Sequence, residues 1–349
     1  SLMAASDADD RIRFDRVDGW PAPEEQPLWF GDPAAEQALL DAYRSGRMHH
    51  GWLLGGPKGI GKATLAYKIA RFVLSQPSVP AKSLNVSNDN PAVHQIAALS
   101  HPDFLLLRRI APDEDKKVPT EILVGEIRKL VKFFGSTAAS GGYRVCIVDA
   151  LDDLNKSGAN ALLKILEEPP ARSLFLLISH SPGRLLATIR SRCRKLLLRP
   201  LATEDVTRAL KNIAQETGDL PLDRIAEAAE ASGGSVRHAL SLLLGEGLEV
   251  RGMTEKLLAA LPSPDGESLH RLGESLRDRD GFCVITETVE DWLAAAASAP
   301  GVSPARLARF AETWENVRRA GIETDAFGLD RKPFVFKVFA MLSEATQPN

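Results

Sequence analysis

Cysteine is scarce. Cys146, Cys193 and Cys283 are all that 349 residues carry, the count is odd and no C-x-x-C pair occurs. This excludes a disulfide framework and a structural zinc module, and it predicts a reducing, cytoplasmic setting. Long apolar runs are missing too: none nears the roughly 20 residues of a membrane span, so no membrane association is expected. The opening SLMAASDADDRIRFD lacks the basic, apolar and small-residue order of a secretory leader, and Ser1-Leu2 ahead of Met3 reads as an expression-vector remnant. An excess of positive charge is also lacking. At a formal net charge of −3 the chain does not hold DNA by bulk electrostatics, so any nucleic-acid contact is expected to be shared with partners. Neither an internal repeat nor a low-complexity tract is present.

What is present, up to about residue 200, is an alternation of short apolar runs with amphipathic stretches, the pattern of a βαβ-built parallel sheet. GWLLGG, DFLLLRR, RVCIVDA, SLFLLISH and RKLLLRP are the expected strands. A polar, Pro-containing stretch from about 75 to 100 and the charged PDEDKKVP read as loops, and IRKLVKFF as an amphipathic helix. After Pro200 the strands stop. Three short helices broken at Gly218 and at Gly233-Gly234 follow, and beyond LPSP at 261–264 comes a second helical region. Its Trp292 and Trp314 are expected in the core.

Residues 55–70, GGPKGIGKATLAYKIA, have the spacing of a phosphate-binding P-loop, with Gly56, Gly59, Gly61 and Lys62 in place and Leu65, Ile69 and Phe72 on one face of the following helix. The magnesium-binding hydroxyl is not there. Ala63 occupies its position, and Thr64 comes one residue late, rotated by about 100° on a helix. Asp149 ends the apolar strand RVCIVDA as the acid of the second nucleotide motif should, but a Glu that would polarise water is replaced by Ala150. Asp152 and Asp153 are expected to point elsewhere. Both motifs thus keep the residues of shape and lose those of metal and water chemistry, so ATP or ADP is expected to bind weakly and to be hydrolysed negligibly. The alternative from the residues alone is a glycine turn that binds nothing, with Asp149 capping the next turn.

Downstream, a helix from about Gly158 to Glu168 stops at Pro169-Pro170, with Leu162, Leu163, Ile165 and Leu166 facing inward. Between Gly183 and Pro200 stand six basic residues, Arg184, Arg190, Arg192, Arg194, Lys195 and Arg199, and no acid. For any one of them a solvated basic face is the plainer reading.

HHGWLLGGPKGIGKATLA, SHPDF at 100–104, DDLNKSGANALLKILEEPP and the SRC of Ser191-Arg192-Cys193 together resemble the clamp-loader branch of the AAA+ ATPases. The resemblance spans the first 200 residues and is looser beyond. It implies an α/β then all-α fold in three parts: a RecA-like AAA+ domain over 1–200, a three-helix lid over 201–262 and a helical collar over 263–349. It also implies a place beside motor (gamma or tau) and delta subunits in a five-membered ring, which loads the sliding clamp onto primed DNA at the nucleoid. Arg192 would reach in trans into the ATP site of a neighbouring motor subunit. Arg237, in GGSVRHAL, would approach a phosphate from the lid. Many relatives carry a four-Cys zinc module near 75–100; no Cys occurs there, so no zinc is expected. The resemblance implies a supporting subunit without turnover of its own. The alternative is an autonomous AAA+ ATPase, a motor subunit of the same loader, and Ala63 and Ala150 favour the former.

Overall fold

The computed structural model describes residues 21–26, 28–77, 81–109, 119, 121–135, 141–218, 220–276, 279–326 and 328–347. They fall into two compact units. One runs up to Ala209 and includes Gly233–Arg237; the other comprises Leu210–Ser232 and the chain from His238 onward. Most of PDEDKKVP lies outside the described residues.

The first unit is built on five parallel strands: β1 (Gly51–Gly55), β2 (Phe104–Arg108), β3 (Arg144–Asp149), β4 (Ser173–Ser179) and β5 (Arg194–Leu197), in the order β2-β3-β4-β1-β5. Every residue of β1 and β4 is buried, because a parallel sheet covered on both faces needs continuous apolar strands. Successive side chains serve opposite faces. Leu54, Ile147 and Leu176 enter a core with Leu65, Ile69 and Phe72, while Leu53, Val148 and Leu177 enter another with Ile127, Leu162 and Leu166. The helices covering the sheet are α1 (Pro33–Arg44), α2 (Lys62–Leu74), α3 (Pro91–Ala97), α4 (Val124–Phe134), α5 (Lys156–Glu167) and the single-turn α6 (Ala187–Ser191). Helix α3 interrupts the stretch expected to be loop. Asn90 caps it by accepting from the Ala92 N–H at 2.9 Å, Pro91 opens its first turn, and Ile96 is fully buried. On α5, Leu162 and Leu166 are buried, whereas Leu163 and Ile165 are only half-buried.

After β5 the described chain is helical: α7 (Thr203–Thr217), α8 (Ile225–Ala231), α9 (Val236–Leu243), α10 (Gly247–Ala259), α11 (Gly266–Ser275), α12 (Arg279–Ser298), α13 (Pro304–Ala326) and α14 (Arg331–Thr346). The second unit takes α7 from Leu210 and α9 from His238. Val284, Ile285, Val289 and Leu293 of α12, Val317 of α13, and Val335, Val338 and Leu342 of α14 are buried at helical spacing. Trp292 and Trp314 are half-buried instead. Trp292 meets the Phe310 ring edge-on at 6.3 Å, and Arg318 covers the Trp314 ring at 5.6 Å. Among the described residues no helix is long and apolar enough to cross a membrane.

Candidate functional site

The polarity of β1 separates two candidate sites. At its carboxyl end the chain enters the glycine loop and then α2; near its amino end lies the SRC segment that leads into β5. Five strand residues span about 13 Å, so each site stands at its own edge of the sheet.

The loop has the backbone its glycines predict. Gly59 (φ 75°) and Gly61 (φ 86°) are left-handed, and Gly61 caps α2. Its cation, however, is turned inward. Lys62 is 3% exposed, and its Nζ donates to the carbonyl of Gly56 at 2.6 Å and to that of Pro57. Burial lowers its pKa to about 8, with Asp149 and Asp152 pulling the other way. The loop is also covered on two sides. The Trp29 indole Nε1 donates to the Gly61 carbonyl at 3.0 Å, and a Cβ placed on Gly59 would lie 2.1 Å from Ser235 Oγ and 3.5 Å from Arg237 Cβ. Gly56, Gly59, Gly61, Lys62 and Arg237 are therefore brought together.

Ala63 packs against the apolar core and offers no oxygen to a metal. Asp149 ends β3 and is followed by buried Ala150. Asp152 does not point away as expected. The 3-10 turn Leu151–Asp153 swings it to the end of β4, where Oδ1 accepts from the Ser179 hydroxyl at 3.2 Å and the Ser181 N–H at 3.1 Å, and Oδ2 from the His180 N–H at 2.7 Å. Asp153 pairs with Arg109 at 2.9 Å. The residue set fits a phosphate cradle in backbone shape. It does not fit a magnesium nucleotide, because residue 63 has no hydroxyl, residue 150 no acid, and Lys62 is committed to its own loop. Trp29, Ser235 and Asp152 were not legible as members of this site; only tertiary proximity assigns them.

At the other edge, Arg192 follows α6 and keeps a presented guanidinium. Its Nη2 meets Glu167 Oε1 at 2.7 Å, and Nη1 donates to the Thr188 carbonyl at 2.9 Å. Two of the five N–H donors of a guanidinium are thereby used and three are left, with the side chain 34% exposed. The neighbouring cations differ. Arg194 lies over the Trp52 ring at 5.0 Å, Arg190 donates to the Gly183 carbonyl at 3.3 Å, and Lys195 stands exposed on edge strand β5. Thr64 is half-buried on α2, beside the loop rather than at this edge.

A parallel sheet in this order, a glycine loop between β1 and α2, an acid ending β3 and a helical region after β5 define an AAA+ fold with a helical C-terminal part. Residues 31–202 match the family described as DNA polymerase III, delta subunit, and the chain belongs to that family. Similar proteins include DNA polymerase III subunit delta' of Pseudomonas aeruginosa, 37% identical over 201 residues, and that of Escherichia coli, 33% identical over 234. The matches cover 57% and 67% of this chain but only 58% and 66% of those relatives' own length. DNA polymerase III subunit tau of Escherichia coli is 29% identical over 273 residues, 74% of this chain and 40% of that protein.

Proposed function

We propose that the chain is a supporting subunit of the DNA polymerase III clamp loader, supplying Arg192 in trans to ATP held by a neighbouring gamma or tau motor subunit. The observation that carries this reading is the division of the two cations between the edges of one sheet. Arg192 lies about a strand length from the chain's own loop, so it serves a phosphate on another molecule. A guanidinium presents a planar fork that matches phosphate oxygens as charge develops on them. Lys62, by contrast, is withdrawn into carbonyls, so the chain's own loop holds ATP or ADP weakly and turns it over negligibly.

In this reading residues 1–200 form the AAA+ domain, 201–262 the lid and 263–349 a collar. The collar joins gamma or tau and delta subunits in a five-membered ring, and through them the chain meets the sliding clamp and primer-template DNA in the bacterial cytoplasm. Similarity to the delta' and tau subunits of DNA polymerase III supports a place in such an assembly. Two measurements test it. The purified chain alone shows no steady ATP hydrolysis, whereas turnover abolished by Lys62→Ala would identify an autonomous ATPase. In the reconstituted complex, Arg192→Ala leaves assembly intact by native mass measurement and lowers DNA- and clamp-stimulated hydrolysis. Unchanged hydrolysis in a fully assembled Arg192→Ala complex overturns the assignment.

A further inference from the structure

Arg192 is not held by chance. Its carboxylate partner, Glu167, is the last residue of α5, where the partial negative charge of the helix end disfavours an acid. A carboxylate there is locally unfavourable, and the cation offsets it. The end of α5 is itself fixed to the sheet. His50 Nε2 lies 3.1 Å from the Leu166 carbonyl, one of the terminal oxygens that no helical N–H reaches. Burial and the neighbouring His49 lower the His50 pKa, so the ring is neutral near pH 7 and the Nε2–H tautomer makes that bond. Gly51 completes the seat. A Cβ there would come within 3.3 Å of Cys193 Sγ, 3.4 Å of Leu166 Cδ2 and 3.5 Å of the Arg192 carbonyl oxygen, so a bare strand residue lets the helix end and the SRC segment close on each other.

From this arrangement we infer that Glu167 is a positioning residue for Arg192: its carboxylate fixes the guanidinium at the amino edge of the sheet with its unused N–H donors directed away from the chain. The inference rests on the reading that Arg192 acts in trans. A long arginine side chain otherwise samples many rotamers, and a donor already oriented loses less freedom when phosphate arrives. Thr188 O and Glu167 Oε1 each engage one of the terminal nitrogens, Nη1 and Nη2, which restricts both the position and the plane of the fork. Because the pair is half-exposed, the expected effect is moderate.

The test uses the assembled complex and defines the Arg192-dependent rate as wild type minus Arg192→Ala. Glu167→Ala lowers the kcat of that component about three- to tenfold, equivalent to about 0.6–1.4 kcal/mol, and moves KM for ATP less than about twofold. Glu167→Gln, which keeps an acceptor oxygen, restores at least half of the loss. In an Arg192→Ala background, Glu167→Ala has no further effect, which separates positioning from general damage to the fold. The inference is overturned by an unchanged rate in Glu167→Ala, by a faster one, or by a loss that persists when Arg192 is absent. If Arg192→Ala itself leaves the rate unchanged, the trans reading falls and the role of Glu167 with it; if only Glu167→Ala is without effect, the trans reading stands alone.

Discussion

Lys62 and Arg192 are both cations at the rim of one parallel sheet, and the chain treats them in opposite ways. The lysine sits deep in the carboxyl-edge loop, bonded to two carbonyls of that loop and covered by Trp29 and Ser235. The arginine stands at the amino edge, half-exposed and held by one carboxylate and one carbonyl. Backbone shape survives at the first edge with its lysine turned inward; at the second, an arginine is kept half-exposed with little surrounding shape. A glycine loop is therefore not evidence of nucleotide chemistry until the state of its lysine is known.

The largest expected effect follows from breaking the arginine side. Under the trans role proposed for Arg192, its loss would slow the site it serves by about 10³–10⁵, and the complex would lose that site's share of ATP turnover. Arg192→Lys sharpens the point. It keeps the charge but not the fork, and the dependent rate stays about tenfold or more below wild type in steady-state assays.

Breaking the covered side acts on stability instead. Gly59→Ala forces a left-handed residue to carry a Cβ against Ser235 Oγ and costs about 1–3 kcal/mol in chemical denaturation. Adding Ser235→Gly returns part of that loss, because the steric part is relieved and the backbone part is not. A smaller effect is expected at Trp29. Phe in its place removes the bond to the Gly61 carbonyl and costs about 1 kcal/mol, read from the same denaturation midpoint.

Much of the sheet could be read from the residues, because buried parallel strands are near-continuous apolar runs and all five expected segments form strands. Helix α3 escaped because Ser, Asn and Pro dominate its surroundings, although Asn90-Pro91 is itself a helix-start signal. The site was legible only in part. The P-loop glycines, Lys62, Ala63 and Ala150 follow from spacing, but the direction in which Lys62 turns does not. Asp152 looked displaced because a turn of three residues reverses the chain toward Ser179, 27 positions away. Trp29 and Gly61 are 32 positions apart and share no pattern. Trp292 and Trp314 have the helical spacing of core residues, yet both are only half-buried.

Lys62 also makes a pH prediction. Its folded value near 8 lies below the ordinary 10.5, so between these values the unfolded chain binds more protons and stability rises with pH, by up to about 3 kcal/mol relative to Lys62→Met. Below about pH 8 both states are protonated and this difference is flat. Denaturation of the two proteins from pH 7 to 10.5 checks the slope; parallel profiles would place Lys62 in water. The smallest effect expected is none. Lys62→Ala leaves ATP turnover by the assembled complex within about twofold of wild type, since no step passes through a withdrawn lysine.

The separation of loop and arginine by the length of β1 gives the chain a front and a back. Head-to-tail contacts join unlike surfaces, so a series of such subunits has a direction, and each junction draws its parts from two members. A member whose back completes its neighbour's junction while its own front is silent acts as a terminator. It activates one junction and seeds none, so the number of working junctions in the series equals the number of intact loops that find an arginine behind them.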